Sequence, residues 1–83
     1  MRGSPTRADL PLKLYSRAYC HLCEDMARAL RVRGIAFEAV DVDADPALEQ
    51  RYGERVPVLA HPDGAEICHY FLDDAALREA LAD

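Results

Sequence analysis

Two cysteines separated by two residues, Cys20 and Cys23, are the residues of this 83-residue sequence whose type and spacing could do chemistry. The apolar run from Leu12 to Tyr15 leads into them, and a helical pattern from Cys23 to Arg33 leads out of them. A CxxC pair where a strand meets a helix is typical of thiol–disulfide exchange, which needs an exposed thiolate and a second thiol that resolves the mixed disulfide. Two thiols at this spacing could also bind a soft metal ion.

The two cysteines differ in their position on the predicted helix. The unpaired N–H groups and the helix dipole at the helix N-terminus favour a negatively charged sulfur at Cys20. Cys23 shares a helical face with Met26, Ala27 and Leu30, so its side chain is predicted to be buried. We therefore predict that Cys20 is the attacking thiol and that Cys23 is the resolving thiol.

Three neighbours of the pair are candidate binding residues: Arg17, Tyr19 and His21. Arg17 could pair with the thiolate or with a substrate carboxylate, or it could be a solvated loop cation. Tyr19 could face a partner or be a half-buried loop aromatic. His21 could tune the thiolate or carry a proton near neutral pH, or simply be an exposed residue at the helix start.

The third cysteine, Cys68, leaves further alternatives open. A lone strand cysteine most often packs as a small hydrophobic residue. It could instead be a third redox thiol or a metal ligand together with His69. A metal-binding or iron–sulfur carrier module that uses Cys20, Cys23 and Cys68 is therefore one alternative function, although a structural zinc site usually presents two close pairs of ligands. A non-catalytic interaction domain is the other.

Hydrophobic periodicity and Gly, Pro and Asp signals predict the elements that position the pair. The predicted strands are 10–15, 35–42, 55–60 and 65–69, and the predicted helices are 23–33, 46–52 and one that begins at Asp73 or Asp74. The first two strands flank a helix, so they should be parallel with a right-handed crossover. The Asp63-Gly64 turn predicts that the last two strands form an antiparallel hairpin. The predicted order is β-α-β-α-β-β-α.

Size and charge limit the classes of function. We predict a flexible tail over 1–9 and one domain over 10–83. The net charge of −5 comes without a basic stripe, so neither nucleic acid nor a membrane is an expected partner. Three unevenly placed cysteines and the lack of a secretory signal pattern in the first residues favour the cytoplasm over a disulfide-stapled secreted module. We expect a monomer.

Two motifs together resemble the glutaredoxins: the Cys20-x-x-Cys23 pair after the first strand and Val56-Pro57 at the start of the third. The sequence is similar in particular to small bacterial glutaredoxin-like proteins with a Cys-His-Leu-Cys motif, over about residues 10–82. The resemblance implies an α/β fold of the thioredoxin-like, glutaredoxin type, a four-stranded mixed sheet with three helices. It also implies that a cis bond precedes Pro57, which faces the thiols, and that the backbone of Val56 pairs with an extended substrate.

The sequence departs from the glutaredoxin pattern in two places. Glutaredoxins usually have Pro-Tyr between the cysteines, whereas His21-Leu22 stands here. They also carry Gly-Gly after the fourth strand, whereas this region reads Ile67-Cys68-His69-Tyr70, whose side chains would crowd a glutathione arm. The resemblance therefore implies a thiol–disulfide oxidoreductase without a resident cofactor, acting on a disulfide-containing protein or a low-molecular-weight thiol. Glutathione is disfavoured as its substrate.

Overall fold

The computed structural model describes residues 11–82, so the predicted tail and Leu10 lie outside the described residues. A short 3₁₀ turn, Val42–Ala44, joins the second strand to the second helix. The strands are β1 Leu12–Ser16, β2 Phe37–Asp41, β3 Val58–Ala60 and β4 Glu66–His69, and the helices are α1 His21–Val32, α2 Pro46–Tyr52 and α3 Asp74–Leu81. The predicted element order is confirmed.

The four strands form one mixed sheet in the order β2-β1-β3-β4. Strand β1 is parallel to β2 and antiparallel to β3, which is antiparallel to β4. Tyr15 of β1 and His69 of β4 are both register partners of Val58. The carboxyl ends of β1 and β4 and the amino end of β3 therefore meet at one end of the sheet.

Hydrophobic residues cover both faces of the sheet. The face that carries α1 and α3 buries Leu12, Leu14, Met26, Leu30, Leu59 and Leu77. The opposite face, which carries α2, buries Tyr15, Val42, Tyr52, Val58 and Ala60. Alternate residues of β1 point to opposite faces, which is why Leu14 and Tyr15 belong to different clusters. The central strands β1 and β3 are thus enclosed on both sides and hold the site at their ends in place.

Helix α1 begins two residues earlier than predicted, at His21 rather than at Cys23. The apolar periodicity starts at Cys23, but Cys20 acts as the N-cap, and its side chain accepts a hydrogen bond from the N–H of Cys23. Gly34 follows the helix with φ +70°, the left-handed conformation expected of a C-terminal glycine. In the part of the chain described, each helix is too short or too polar to cross a lipid bilayer.

Strands β2 and β3 are shorter than predicted for local reasons, and β4 begins one residue later than predicted, at Glu66. Strand β2 ends at Asp41 because the Asp41 carboxylate accepts the N–H of Asp43 and caps the 3₁₀ turn. Strand β3 starts at Val58, directly after Pro57, whose nitrogen has no hydrogen to donate to the sheet, and the peptide bond between Val56 and Pro57 is cis. The cis bond implied by the resemblance is thereby confirmed.

Candidate active site

The CxxC pair lies at the N-terminus of α1, at the end of the sheet where β1 stops. The sulfur atoms of Cys20 and Cys23 are at disulfide distance, and their Cα atoms are 5.2 Å apart. Cys20 is partly exposed, whereas Cys23 is only 4% exposed, which confirms its predicted burial. The N–H of Cys23 donates to Sγ of Cys20 at 3.1 Å. The pair therefore presents one accessible sulfur, which accepts a backbone hydrogen bond, and one sheltered sulfur.

The residues on either side of Cys20 point into solvent. Tyr19 is fully exposed, so the half-buried alternative for its ring is wrong. Its φ of +60° is uncommon for a residue other than glycine, and such conformations are often found at functional sites. His21 is also exposed, as the first residue of α1. Both side chains are free to meet a molecule that approaches Cys20.

Arg17, three residues before Cys20, forms ion pairs with residues of the 3₁₀ turn and of α2. Its guanidinium donates to both carboxylate oxygens of Asp43, at 2.7 and 3.3 Å, and to Glu49 at 3.3 Å. A further N–H donates to the carbonyl of Gly53 at 3.1 Å. Hydrogen bonding to Asp43 raises the pKa of Arg17 further above its ordinary range. Pairing of Arg17 with the thiolate or with a substrate carboxylate stays a prediction.

The cis-proline segment lies at the same end of the sheet as the CxxC pair. Pro57 is buried and immediately precedes Val58, the register partner of Tyr15. The carbonyl of Pro57 accepts the N–H of Tyr70 at 2.9 Å, which extends the β3–β4 pairing by one residue. Among residues 11–82, none hydrogen-bonds to the N–H or the C=O of Val56. Both groups remain available to pair with an extended chain.

An apolar groove of about 200 Å³ runs beside the CxxC pair. It lies between α1 and the segment that joins β4 to α3, and Leu22 of the CxxC motif is one of its walls. Phe71 is 69% exposed and Tyr70 is 40% exposed, so one wall of the groove is formed by aromatic side chains that reach solvent. The groove is lined by Leu22, Asp25, Met26, Ala29, Tyr70, Phe71 and Leu72.

Sequence reasoning did not assign Tyr70 and Phe71 to the site. Two adjacent aromatic residues directly after the predicted fourth strand were the available signal, because a strand that continued through them would bury one of the two. Tyr70 instead has φ +65°, in the left-handed region, and its hydroxyl donates to the carbonyl of Glu54 at 3.0 Å.

Cys68 belongs to the hydrophobic core rather than to a ligand cluster. It packs against the cluster that contains Leu59 and Leu77, as the packing alternative predicts. Burial is the main cause that raises the pKa of its thiol. Within residues 11–82, no three His, Cys, Asp or Glu side chains are grouped so that they could hold a metal ion. The ligand set of Cys20, Cys23 and Cys68 is therefore not assembled there.

Comparison with models of protein families shows which family this chain belongs to. Residues 11–82 match the family model described as "Glutaredoxin-like domain (DUF836)". The chain belongs to this glutaredoxin-like family. Among curated proteins, no sequence matches this chain.

Solved structures agree with the assignment to the glutaredoxin-like family. Protein Ne2328 from Nitrosomonas europaea is 39% identical, with a TM-score of 0.78, over 87% of this chain and 91% of that one. Target protein XcR50 from X. campestris is 46% identical, with a TM-score of 0.70, over 84% and 93% of the two chains. The holo form of glutaredoxin C1 from Populus tremula x tremuloides is 19% identical, with a TM-score of 0.61, over 90% and 75%, and so shares the fold. The chain thus has the predicted thioredoxin-like fold of the glutaredoxin type.

Proposed function

We propose that this glutaredoxin-like protein is a thiol–disulfide oxidoreductase that reduces a disulfide in a polypeptide. The observation that carries the proposal is the asymmetry of the pair, with Cys20 accessible at the helix N-terminus and Cys23 buried behind it. An exposed sulfur can reach a substrate, and a buried neighbour reacts only after the first sulfur has formed a mixed disulfide with that substrate. The two sulfurs can also bond to each other without moving the helix.

The reaction transfers two electrons from the dithiol to the substrate. The Cys20 thiolate attacks one sulfur of the substrate disulfide, a Cys20–substrate bond forms, and the other substrate sulfur leaves as a thiolate that takes a proton from water. The Cys23 thiol then loses its proton to solvent and attacks the Cys20 sulfur. The second substrate thiolate leaves, and the Cys20–Cys23 disulfide forms. A dithiol donor in the cytoplasm, where we place the protein, would reduce that disulfide for the next cycle.

The surface around Cys20 supports a polypeptide as substrate. The free N–H and C=O of Val56 offer one strand-like pairing site, and an extended chain would use both groups. The exposed ring of Tyr19 and the groove beside Leu22 offer apolar contact area on either side of the nucleophile. Tyr70 occupies the segment after β4 and narrows the space for a glutathione arm, so we propose a protein disulfide in preference to glutathione.

The test is a redox titration of the purified protein in defined thiol–disulfide buffers, quenched by alkylation and followed by mass spectrometry. The proposal predicts one reversible two-electron couple that links Cys20 and Cys23, near the range of roughly −200 to −270 mV found for glutaredoxins and thioredoxin. The reduced protein should then reduce a peptide disulfide faster than it reduces oxidised glutathione. If no Cys20–Cys23 disulfide forms in any buffer, the proposed function is wrong.

A further inference from the structure

The segment that leads from α2 into the cis proline, residues 53–57, contains the free backbone groups of Val56. Its own hydrogen bonds are few: the N–H of Gly53 donates to Glu49 at 2.8 Å, and the N–H of Arg55 donates to Tyr52 at 2.8 Å. Both of these bonds point back to α2. The carbonyls of Gly53, Glu54 and Pro57 accept hydrogen bonds from residues outside the segment.

Two side chains from different parts of the chain bind successive carbonyls of this segment. Arg17, on the loop between β1 and Cys20, donates to the carbonyl of Gly53 at 3.1 Å. Tyr70, directly after β4, donates its hydroxyl to the carbonyl of Glu54 at 3.0 Å. These two contacts join the segment to the loop that leads to the nucleophile and to the segment after β4 that borders the groove.

Both side chains are themselves held in place. Ion pairs to Asp43 and Glu49 fix the guanidinium of Arg17, whose side chain is 31% exposed. The N–H of Tyr70 is bound to Pro57, and its ring packs edge-on against the ring of His69 with centroids 4.7 Å apart. A donor that is already ordered loses little conformational entropy when it binds a carbonyl, so it constrains that carbonyl effectively.

We propose that Arg17 and Tyr70 are positioning residues that clamp residues 53–57, so that Val56 is presented to an extended substrate in register with Cys20. The inference rests on the proposed function. The clamp affects the binding of a substrate chain that hydrogen-bonds to the backbone of Val56. It does not act on the sulfur chemistry, because neither side chain hydrogen-bonds to Cys20 or Cys23 among residues 11–82.

The test compares two disulfides that release the same coloured thiol. One is 5,5′-dithiobis(2-nitrobenzoate), a small disulfide, and the other is a synthetic peptide whose cysteine carries 2-nitro-5-thiobenzoate as a mixed disulfide. Prereduced Tyr70→Phe and Arg17→Gln proteins are mixed with each probe in single turnover. Half-saturation by the peptide should rise about two- to tenfold in Tyr70→Phe, the loss expected for one hydrogen bond. It should rise at least as much in Arg17→Gln, which also loses the contacts to Asp43 and Glu49. In both proteins the rate with the small disulfide and the Cys20–Cys23 potential should stay unchanged. Arg31→Gln, which removes an exposed cation that lies over the Phe37 ring and does not line the groove, is the control and should change neither rate.

A second measurement does not depend on activity. The Arg55 amide should exchange with deuterium faster in Tyr70→Phe and in Arg17→Lys, while the Leu30 amide in α1 exchanges as in the unmodified protein. Unchanged exchange at Arg55, or equal losses of rate with both probes, would overturn the clamp. If the unmodified protein reduces neither probe yet loses Arg55 protection on substitution, the clamp stands as a structural device and the proposed function fails.

Discussion

The sulfur of Cys20 accepts a hydrogen bond from the backbone N–H of Cys23 at 3.1 Å. This N–H is one of the donors that an α-helix leaves unpaired in its first turn, and Cys20 takes the place that Ser or Asp usually occupies as N-cap. After reduction the same N–H would face a thiolate, and hydrogen bonds to a charged acceptor are stronger than those to a neutral one. The residue that begins the helix is thus also the proposed nucleophile.

The N–H that donates to Cys20 belongs to the backbone of residue 23, so it is retained when the Cys23 side chain is replaced. Cys23→Ser should keep Cys20 reactive but leave no thiol to resolve the mixed disulfide, so a Cys20–peptide adduct should accumulate. Cys20→Ser should form no adduct. Intact-mass measurement after mixing with a peptide disulfide distinguishes these results. An adduct on Cys23 in the Cys20→Ser protein would reverse the assignment of roles.

Phe71 should contribute to peptide binding with little effect on folding. Its side chain is 69% exposed, so Phe71→Ala should change the free energy of unfolding by less than about 0.5 kcal/mol. Contact with an apolar substrate side chain should be lost, and half-saturation by a peptide disulfide should rise about three- to tenfold.

The matched control for Phe71→Ala is Val32→Ala. Val32 is 78% exposed at the far end of α1, about 18 Å along the helix axis from Cys20. If both truncations weaken peptide binding equally, the groove beside Leu22 has no specific role and general surface hydrophobicity explains the effect.

The thiol of Cys68, which is partly buried, should titrate above its ordinary pKa. Burial raises its pKa above the ordinary value of 9.0, so the fold favours the protonated form. The stability that Cys68 contributes is therefore fully present below that ordinary value and is lost as the pH rises through the pKa of the folded protein. The difference in unfolding free energy between the unmodified protein and Cys68→Ala should shrink as the pH rises above 9.0.

The rate of alkylation is an independent measure of the reactivity of the Cys68 thiol. In the oxidised protein Cys68 is the free thiol of the described chain, and iodoacetamide should modify it more slowly than it modifies the unfolded protein at the same pH. Cys68→Ala should leave the Cys20–Cys23 potential unchanged. A changed potential would favour Cys68 as a third redox thiol.

Gly53 should not tolerate a side chain. A Cβ at this position would lie 2.5 Å from the carbonyl oxygen of Glu49, a backbone atom that cannot move alone. We expect Gly53→Ala to destabilise the protein by about 1–3 kcal/mol in chemical denaturation. If Gly53→Ala unfolds like the unmodified protein, the close approach of residue 53 to the Glu49 carbonyl in α2 does not exclude a side chain.

Local signals in the sequence predicted several elements correctly. Helix α2 runs from Pro46 to Tyr52 as predicted, because Asp45 caps it and proline suits its first position. The CxxC pair, its place between strand and helix, and the burial of Cys23 followed from spacing and periodicity, which depend on neighbours within a few residues. The element order followed from the succession of these elements, whereas the fold class was implied by the resemblance to the glutaredoxins.

The position of Cys68 depended on the hairpin register. The pairing shifts between Leu59 and Ala60, so Leu59 faces Cys68 while Ala60 faces Glu66. The extra residue in β4 lets the consecutive side chains of Ile67 and Cys68 both pack against the same cluster, which simple alternation forbids. A bulge of this kind has no signature in the local pattern.

The sequence by itself determined the reactive pair and the order of the elements, because short-range hydrophobic spacing and capping residues encode them, and its two motifs carried the resemblance that implied the fold class. Only the tertiary structure decided which carbonyls Arg17 and Tyr70 bind. Their partners Gly53 and Glu54 lie 36 and 16 residues away in the chain, and sheet register brings them together. The full exposure of Tyr19 was decided in the same way, because burial is a property of the assembled layers and not of the residue type.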